Sequence, residues 1–167
     1  MPQFVPRSIL FVCTGNICRS PLAEGVFRDL ALLNGHADIL LDSAGLGSWH
    51  VGEQPDLRSI KVGARHGVAI HNQVCRRVTE ADFARFDVIL GMDRSHVAAL
   101  ERQRPDKKSA YVGLFMQWCA GAAQDVPDPY YGDLDDFERV YGMIRAAAEK
   151  WFSTGGRASS GHDSSIT

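Results

Sequence analysis

The feature that most constrains the fold is a short apolar run that ends in a cysteine. Residues 8–13 read Ser-Ile-Leu-Phe-Val-Cys, and residues 14–21 follow at once as Thr-Gly-Asn-Ile-Cys-Arg-Ser-Pro. A continuous apolar run of this length is typical of a strand buried on both faces of a parallel sheet. Apolar residues then recur at the spacing of one helix face: Leu22, Val26, Phe27, Leu30 and Leu33. The sequence therefore predicts a buried strand, a tight loop and a helix.

The ends of this first helix carry their own signals. Ser20 is a suitable cap, and Pro21 suits the first helical position because its missing N–H costs nothing there. Glu24 and Arg28 are spaced to form an ion pair, which we place on the polar face away from the apolar stripe. The Asn-Gly pair at residues 34–35 is predicted to end the helix.

The rest of the chain alternates strands with helices. Further strands are predicted at residues 38–42, 86–92 and, more weakly, 109–112, and helical segments at about 56–66, at 79–83, after a cap at Asp93, and along an apolar stripe from Phe137 to Trp151. This order predicts an α/β fold with a parallel sheet, helices on both faces, and a site at the carboxyl ends of the strands. Residues 1–152 would form one domain, and the Ser- and Gly-rich residues 153–167 a disordered tail.

Charge and hydropathy narrow the function classes. The 167 residues include 18 Lys and Arg against 20 Asp and Glu, so the net charge of −2 gives no general case for nucleic acid or an anionic membrane as partner. No apolar stretch approaches the ~18 residues of a membrane span, and residues 1–7 lack a signal-peptide layout. We expect a cytoplasmic protein whose four cysteines are reduced and whose histidines and cysteines bind no metal.

The loop after the first strand has the composition of an anion site. Gly15 and Asn16 tolerate left-handed backbone angles, so the loop can turn tightly and aim successive backbone N–H groups inward. Together with the dipole of the following helix these amides would bind a dianion such as phosphate. The Gly-Lys-Ser/Thr element of an ATPase loop is missing, so nucleotide hydrolysis is not indicated.

Two side chains of the loop point to chemistry as well as binding. Cys13 stands at the end of the strand, and five residues separate it from Arg19 across one phosphate-sized turn. Inward amides and the Arg19 charge are expected to favour the thiolate, which is the nucleophilic form of cysteine. The guanidinium fork of Arg19 would bind two phosphoryl oxygens through the transition state. We therefore predict attack of the thiolate on phosphorus.

Such a reaction also needs a proton for the leaving oxygen. Asp128 is the candidate acid because Pro127 and Pro129 stiffen its loop, while Tyr130 and Tyr131 beside it can line a pocket. The residues alone leave other carboxylates open as alternatives: Asp125, Asp133, Asp135 and Asp136.

Four stretches, CTGNICRSP, SAGLGSWHVG, FDVILGMD and DPYYGD, together resemble the low-molecular-weight protein tyrosine phosphatase family over residues 8–152. The resemblance implies a four-stranded parallel sheet, no metal or organic cofactor, and hydrolysis of phosphotyrosine in proteins through a cysteinyl-phosphate, with inorganic phosphate and other oxyanions as inhibitors. It implies that Cys13 is the nucleophile, Arg19 the phosphate clamp and Asp128 the general acid. The other implied site residues are the phosphate-binding Thr14, Gly15, Asn16, Ile17, Cys18 and Ser20, the loop supports Asn16, Ser20 and Ser43, and the pocket walls Trp49, Tyr130 and Tyr131.

One position departs from the family pattern. Members often carry a histidine or another basic residue after the second helix, where it helps to hold the phosphate loop. The matching position in this chain is Gln73, with His71 nearby. A supporting role at this position is therefore an open question.

Two other functions fit the same loop. A cysteine in an oxyanion loop can also attack arsenate, but such a reductase needs closely spaced resolving cysteines, and Cys75 and Cys119 are far apart in sequence. A silent phosphate-binding module would have no use for both a nucleophile and an acid. Cys18, five residues after Cys13, is either a packing residue or a redox partner that traps oxidised Cys13 as a disulfide.

Overall fold

Four parallel strands form the sheet, in the order β2-β1-β3-β4. Their bounds in the computed structural model, which describes residues 5–106 and 109–156, are β1 Ser8–Cys13, β2 Leu40–Gly45, β3 Val88–Gly91 and β4 Tyr111–Leu114. All six residues of β1 are buried, as expected for a central strand of a covered sheet. The predicted α/β fold with a four-stranded parallel sheet is confirmed.

Helices cover both faces of this sheet. They are α1 Arg19–Leu33, α2 Leu57–Arg65, α3 Asp82–Arg85, α4 Arg94–Gln103, α5 Phe115–Ala120 and α6 Leu134–Ser153. The larger core lies under α1, α2, α5 and α6, and the smaller one under α3 and α4. Phe27 of α1 packs at tilted angles against Phe11 of β1 and Trp151 of α6 in the larger core, with ring centroids 4.9 Å and 5.4 Å away respectively. The apolar stripe of the last helix is therefore core, as predicted.

The first helix begins earlier than predicted. It starts at Arg19 with Cys18 in the N-cap position, where no side chain caps it. Ser20 lies inside the helix and contacts Cys13 instead of capping, and Pro21 is the third helical residue. The Glu24–Arg28 ion pair forms at 2.7 Å, but Glu24 is buried and so does not lie on a solvent-facing side. The predictions for Ser20 and Glu24 are wrong for the same reason. Both polar side chains lie near the start of α1 and face the loop and its supports.

The second strand also differs from the prediction. It covers Leu40–Gly45 and not residues 38–42, because Ser43, Ala44 and Gly45 pair with β1 up to Cys13. Small residues that suggest a loop are here held in a strand by their neighbour.

Three short stretches, residues 1–4, 107–108 and 157–167, lie outside the described residues. Most of the predicted tail at 153–167 falls there, while Ser153 is the last residue of α6. Within residues 5–106 and 109–156, none of the helices has the length and apolar character needed to cross a membrane.

Candidate active site

The loop between β1 and α1 turns its carbonyl groups outward. These carbonyls accept hydrogen bonds from their surroundings: Cys13 O from Leu46 N at 3.0 Å, Thr14 O from Gly47 N at 3.0 Å, Ile17 O from Asp56 N at 2.8 Å, and Asn16 O from Cys75 Sγ at 2.8 Å. In a trans peptide unit the N–H points away from the carbonyl, so the amides of residues 14, 15, 17 and 18 are aimed at the inside of the loop. Converging amides at a helix N-terminus bind an anion.

The backbone of β2 supports this loop at very short range. A Cβ atom added to Gly45 would lie 2.9 Å from Gly15 C, 3.0 Å from Asn16 N and 3.1 Å from Thr14 O. Only a residue without a side chain leaves room for the loop, so the end of β2 sets the position of the loop amides.

Asn16 fixes the shape of the loop from within. Its φ of 59° is left-handed, a conformation that asparagine tolerates better than most residues. Its Nδ2 donates to Ser20 Oγ at 2.9 Å and to Ser43 Oγ at 3.0 Å, and its Oδ1 accepts from Arg76 N at 3.0 Å. Because Arg76 N can only donate, the orientation of the Asn16 amide is determined.

A directed chain of hydrogen bonds follows from that orientation. Ser20 Oγ accepts from Asn16, so its own hydrogen is free for Cys13 Sγ, 3.0 Å away. Ser43 Oγ also accepts from Asn16, so its hydrogen goes to Glu24 Oε1 at 2.8 Å. Burial raises the pKa of Glu24, against hydrogen bonds from Arg28 and Ser43. The residues expected to support the loop, Asn16, Ser20 and Ser43, are thus brought together beneath the thiol, and Glu24 extends the chain.

Arg19 is held through Nη1, while its Nη2 faces His96, 3.4 Å from Nε2, and Asp128. It is buried, and its Nη1 donates to Asp93 Oδ2 at 2.8 Å and to Val126 O at 2.9 Å. Its Nη2 lies 3.7 Å from Asp128 Oδ2. Burial opposes ionisation of Asp93, but hydrogen bonds from Ser95 and Arg19 outweigh it and lower the pKa to about 2. Asp93 therefore remains a carboxylate that positions the guanidinium.

His96 is a member of the site that the sequence analysis missed. Its Nε2 lies 3.0 Å from Thr14 Oγ1, and its Nδ1 accepts from Asp93 N at 3.1 Å. Burial, followed by the charge of Arg19, lowers the pKa of His96 to about 4, so the ring is neutral at pH 7. Since Nδ1 accepts, Nε2 carries the proton and donates to Thr14. The only available signal was its position three residues after the cap Asp93, which is where a capping box closes.

A cleft of about 320 Å³ opens above the loop, and we call it the catalytic cleft. Cys13, only 3% exposed, lies at its floor. Its other lining residues are Thr14, Gly15, Ile17, Cys18, Arg19, Trp49, His50, Asp128, Tyr130 and Tyr131. Trp49 is 72% and Tyr131 93% exposed, so these two expected walls lie at the rim. The cleft thus has a nearly buried sulfur at its floor and exposed aromatic side chains at its rim.

Among the five aspartates left open by the sequence, Asp128 is the one that lines the cleft. Asp125 accepts from Arg94 N, while Asp133 and Asp136 form the capping box of α6. Asp135 is exposed in the first turn of that helix. Asp128 Oδ1 accepts from Tyr130 N at 3.1 Å, which ties the carboxylate to the aromatic loop.

Gln73 contacts the same region, although in a different way from a basic residue. Its Nε2 donates to Pro21 O at 3.0 Å, while its Oε1 is buried without a partner among the described residues. His71 is exposed and contributes its backbone carbonyl to Gln54 Nε2. Gln73 therefore contacts α1, and the direct contacts to Asn16 come from Cys75 and Arg76.

All four cysteines are buried free thiols. Cys18 lines the cleft, and burial followed by the charge of Cys13 raises its pKa far above the ordinary value. The same two causes, in the same order, raise the pKa of Cys75 to about 11, so Cys75 is a thiol that donates to Asn16 O. In the part of the chain that the structure describes, no group of three or more His, Cys, Asp or Glu is arranged to hold a metal ion.

Comparison with known proteins identifies the family. The model of the low molecular weight phosphotyrosine protein phosphatase family matches residues 8–160. The low molecular weight protein-tyrosine-phosphatase YfkJ of Bacillus subtilis is 38% identical over 145 residues, which cover 86% of this chain and 92% of that protein.

Two solved structures share the fold. Vibrio vulnificus Wzb in complex with benzylphosphonate has a TM-score of 0.78 at 32% identity, covering 89% of this chain and 98% of that one. DARP, the Drosophila arginine phosphatase, has a TM-score of 0.81 at 31% identity, covering 88% and 96%. The sequence and the fold therefore agree that this chain is a phosphatase and belongs to the low-molecular-weight protein tyrosine phosphatase family.

Proposed function

We propose that this phosphatase hydrolyses phosphotyrosine in proteins through a phosphoryl group carried on Cys13, with Asp128 as the general acid. The observation that carries the proposal is the floor of the cleft. Cys13 Sγ lies there 3.0 Å from a hydroxyl that is free to donate to it, inside a loop whose amides converge. A thiolate stabilised in this way is positioned to attack a phosphorus atom bound by the same amides.

In the first step the Cys13 thiolate forms a bond to phosphorus as the bond to the tyrosine oxygen breaks. Asp128 gives its proton to that oxygen, so the leaving group departs as a neutral phenol. Arg19, whose Nη1 is fixed by Asp93 and Val126 O, follows the equatorial phosphoryl oxygens. In the second step water attacks phosphorus, Asp128 takes the proton of the water, and the thiolate leaves with the Ser20 hydroxyl directed at it.

The depth of the cleft supports phosphotyrosine as the substrate. Phosphoserine and phosphothreonine have short side chains, and the phosphate must reach a nearly buried sulfur past the aromatic rim of Trp49 and Tyr131. Inorganic phosphate and other oxyanions would compete for the same amides. Four free cysteines also fit the reducing cytoplasm as the site of action.

The test combines three variants with substrates of different leaving groups. Cys13→Ser is expected to abolish turnover because a serine hydroxyl is not ionised near neutral pH, and Arg19→Lys to reduce it severely because a point charge cannot replace a fork. Asp128→Asn should cost about 10²–10⁴ in rate on phosphotyrosine and much less on an activated aryl phosphate. Near wild-type turnover in Cys13→Ser would refute the mechanism.

A peptide panel separates the neighbouring activities. Phosphotyrosine, phosphoserine and phosphoarginine peptides are compared beside a thioredoxin-coupled arsenate assay. Preference for the phosphotyrosine peptide supports the proposal. Preference for phosphoarginine, the substrate class in the name of the Drosophila protein, or turnover of arsenate alone would replace it.

A further inference from the structure

A second groove adjoins the catalytic cleft. It has a volume of about 500 Å³ and shares three lining residues with the cleft: Ile17, His50 and Tyr130. The two cavities therefore meet at these three side chains. A peptide whose phosphotyrosine occupies the cleft therefore brings a neighbouring residue over the groove.

Arg58, the one cation among the described residues that line the groove, is paired within the protein. Arg58 donates through Nε and Nη2 to Asp56, at 3.0 Å and 2.9 Å, and through Nη1 to Gly132 O at 3.1 Å. Its guanidinium also lies 4.4 Å from the centroid of the Phe137 ring. Three of the five N–H groups of Arg58 are thus engaged within the protein, and two of these three pair its charge with Asp56.

Glu53 is the more exposed of the two acidic residues in the groove. Glu53 has a side chain that is 60% exposed, and its Oε2 is 2.6 Å from His50 Nδ1. The lining of the groove contains two carboxylates, Glu53 and Asp56, and one cation, Arg58. With histidine counted as neutral, its net charge is therefore −1. The same groove is lined by apolar surface from the exposed side chain of Leu57 and from Tyr130.

We propose that this groove is a second subsite, which binds a lysine or arginine side chain located close to the phosphotyrosine in the substrate. The aliphatic stem packs on Leu57 and Tyr130, and the cationic head lies at the Glu53 carboxylate, as long basic side chains do on apolar surfaces with an acidic rim. The inference rests on the proposed function, since it places the phosphotyrosine in the adjoining cleft.

The experiment measures kcat/KM on phosphotyrosine peptides with alanine flanks, in which one position at a time, within two residues on either side, is changed to Lys or Glu. Each kcat/KM value is divided by the kcat/KM of the same protein on free phosphotyrosine. At one or more positions the Lys peptide should exceed the Ala peptide about three- to fivefold at low salt, the scale of one exposed ion pair. The preference should shrink as salt is raised.

Two substitutions of Glu53 and a matched control test whether Glu53 causes the Lys preference. Glu53→Gln should bring the Lys-to-Ala ratio close to one, and Glu53→Lys should turn the preference toward the Glu peptide. Glu101→Gln, an exposed change on α4 that lines neither cavity, should keep the wild-type ratio. A Lys preference that survives Glu53→Gln, or its absence at every position, overturns the subsite. Failure of wild-type protein to hydrolyse free phosphotyrosine instead overturns the proposed function, and the subsite with it.

Discussion

Asn16 shows how much of the site depends on single side chains with no chemistry of their own. Its Nδ2 and Oδ1 join Ser20, Ser43 and the backbone of Arg76, and its orientation directs the Ser20 hydroxyl at the thiol. The reactive groups are thus aligned by an amide and two hydroxyls. Removing a member of this chain should lower activity as well as stability.

Ser43→Ala tests that expectation. The change leaves Glu24 Oε1 and one hydrogen of Asn16 unpaired in a buried place, at a cost of about 1–3 kcal/mol of stability. If about 1.4 kcal/mol of this falls on the transition state, kcat drops about tenfold. Ser8→Ala is the matched control, because Ser8 is a buried serine at the other end of β1 that bonds Arg85 O. It should lower the urea midpoint without lowering kcat; equal kcat in both variants would contradict the chain.

Cys18 gives a prediction for oxidation. Peroxide should convert the Cys13 thiolate to a sulfenic acid, which the Cys18 thiol attacks to form a disulfide with release of water. Activity should then return with a thiol reductant, phosphate should slow the loss, and Cys18→Ser should make it largely irreversible. Cys75→Ser is the control, since Cys75 also touches the loop. Mass spectrometry that finds a 13–75 linkage, or none, would remove Cys18 from this role.

The sequence predicted the residues of the loop and three of its supports, Asn16, Ser20 and Ser43, but it missed the others. Cys13 and Arg19 are recognisable because the loop, the strand before it and the helix after it are contiguous. His96, Glu24 and Cys75 reach the loop from other parts of the fold. The sequence pattern places Glu24 on the polar face of the helix, suggests Cys75 only as a resolving cysteine and does not single out His96. Tertiary packing turns these side chains inward.

Helix α4 connects its own start to the phosphate clamp. Asp93 caps the helix through Ser95 N and His96 N with one oxygen, and holds Arg19 with the other. His96 completes the capping box and donates to Thr14. The stability of this helix end and the geometry of the anion site therefore rest on the same two side chains.

The pH dependence of stability tests this connection. The pKa of His96 is about 4 in the folded state against 6.5 for an ordinary histidine, so unfolded chains bind the proton first. Its stabilising effect is complete above pH 6.5 and is lost as the pH falls toward 4, on the order of 2 kcal/mol by pH 5. Urea unfolding at pH 7 and pH 5 should show a smaller difference for His96→Asn than for wild type. His71→Asn, at an exposed position, should keep the wild-type difference; an unchanged difference in both would refute the connection.

The bounds of β2 and α5 show where local patterns fail. The end of β2 consists of Ser43, Ala44 and Gly45, which have weak strand propensity and are fixed by pairing with β1. Helix α5 has six residues and no side-chain cap at its start, so a pattern search has little to find; it ends at Gly121 in the left-handed conformation. The long α6, with its apolar stripe, was predictable because burial and period agree.

At the scale of the whole molecule, elements that are distant in sequence contact the phosphate-binding loop. The loop receives contacts from the end of β2, from residues 75–76, from α4 and from the start of α2. Binding an oxyanion there should therefore stabilise the whole chain and not a local segment. The net charge of −2 gives no hint of this site, because its positive potential comes from amides and one buried arginine.

Thermal unfolding in phosphate checks this coupling. At a phosphate concentration 100 times Kd, binding adds about 2.7 kcal/mol of stability and raises Tm by about 5–10 °C for a chain of this size. Chloride at the same ionic strength should have little effect, and Arg19→Lys should reduce the shift produced by phosphate. An equal rise in Tm with chloride would mean that screening, and not occupation of the loop, is being measured.

Gly45 has a consequence for how this sequence tolerates change. It has no functional group and lies in a strand, yet a single methyl group there would press on three atoms of the loop backbone. In a saturation mutagenesis library selected for turnover, position 45 should be depleted of substitutions as strongly as position 13. A survey of mutational tolerance would then mark as essential a residue that takes no part in binding or chemistry. The reason is that the backbone supporting the loop tolerates as little change as the nucleophile itself.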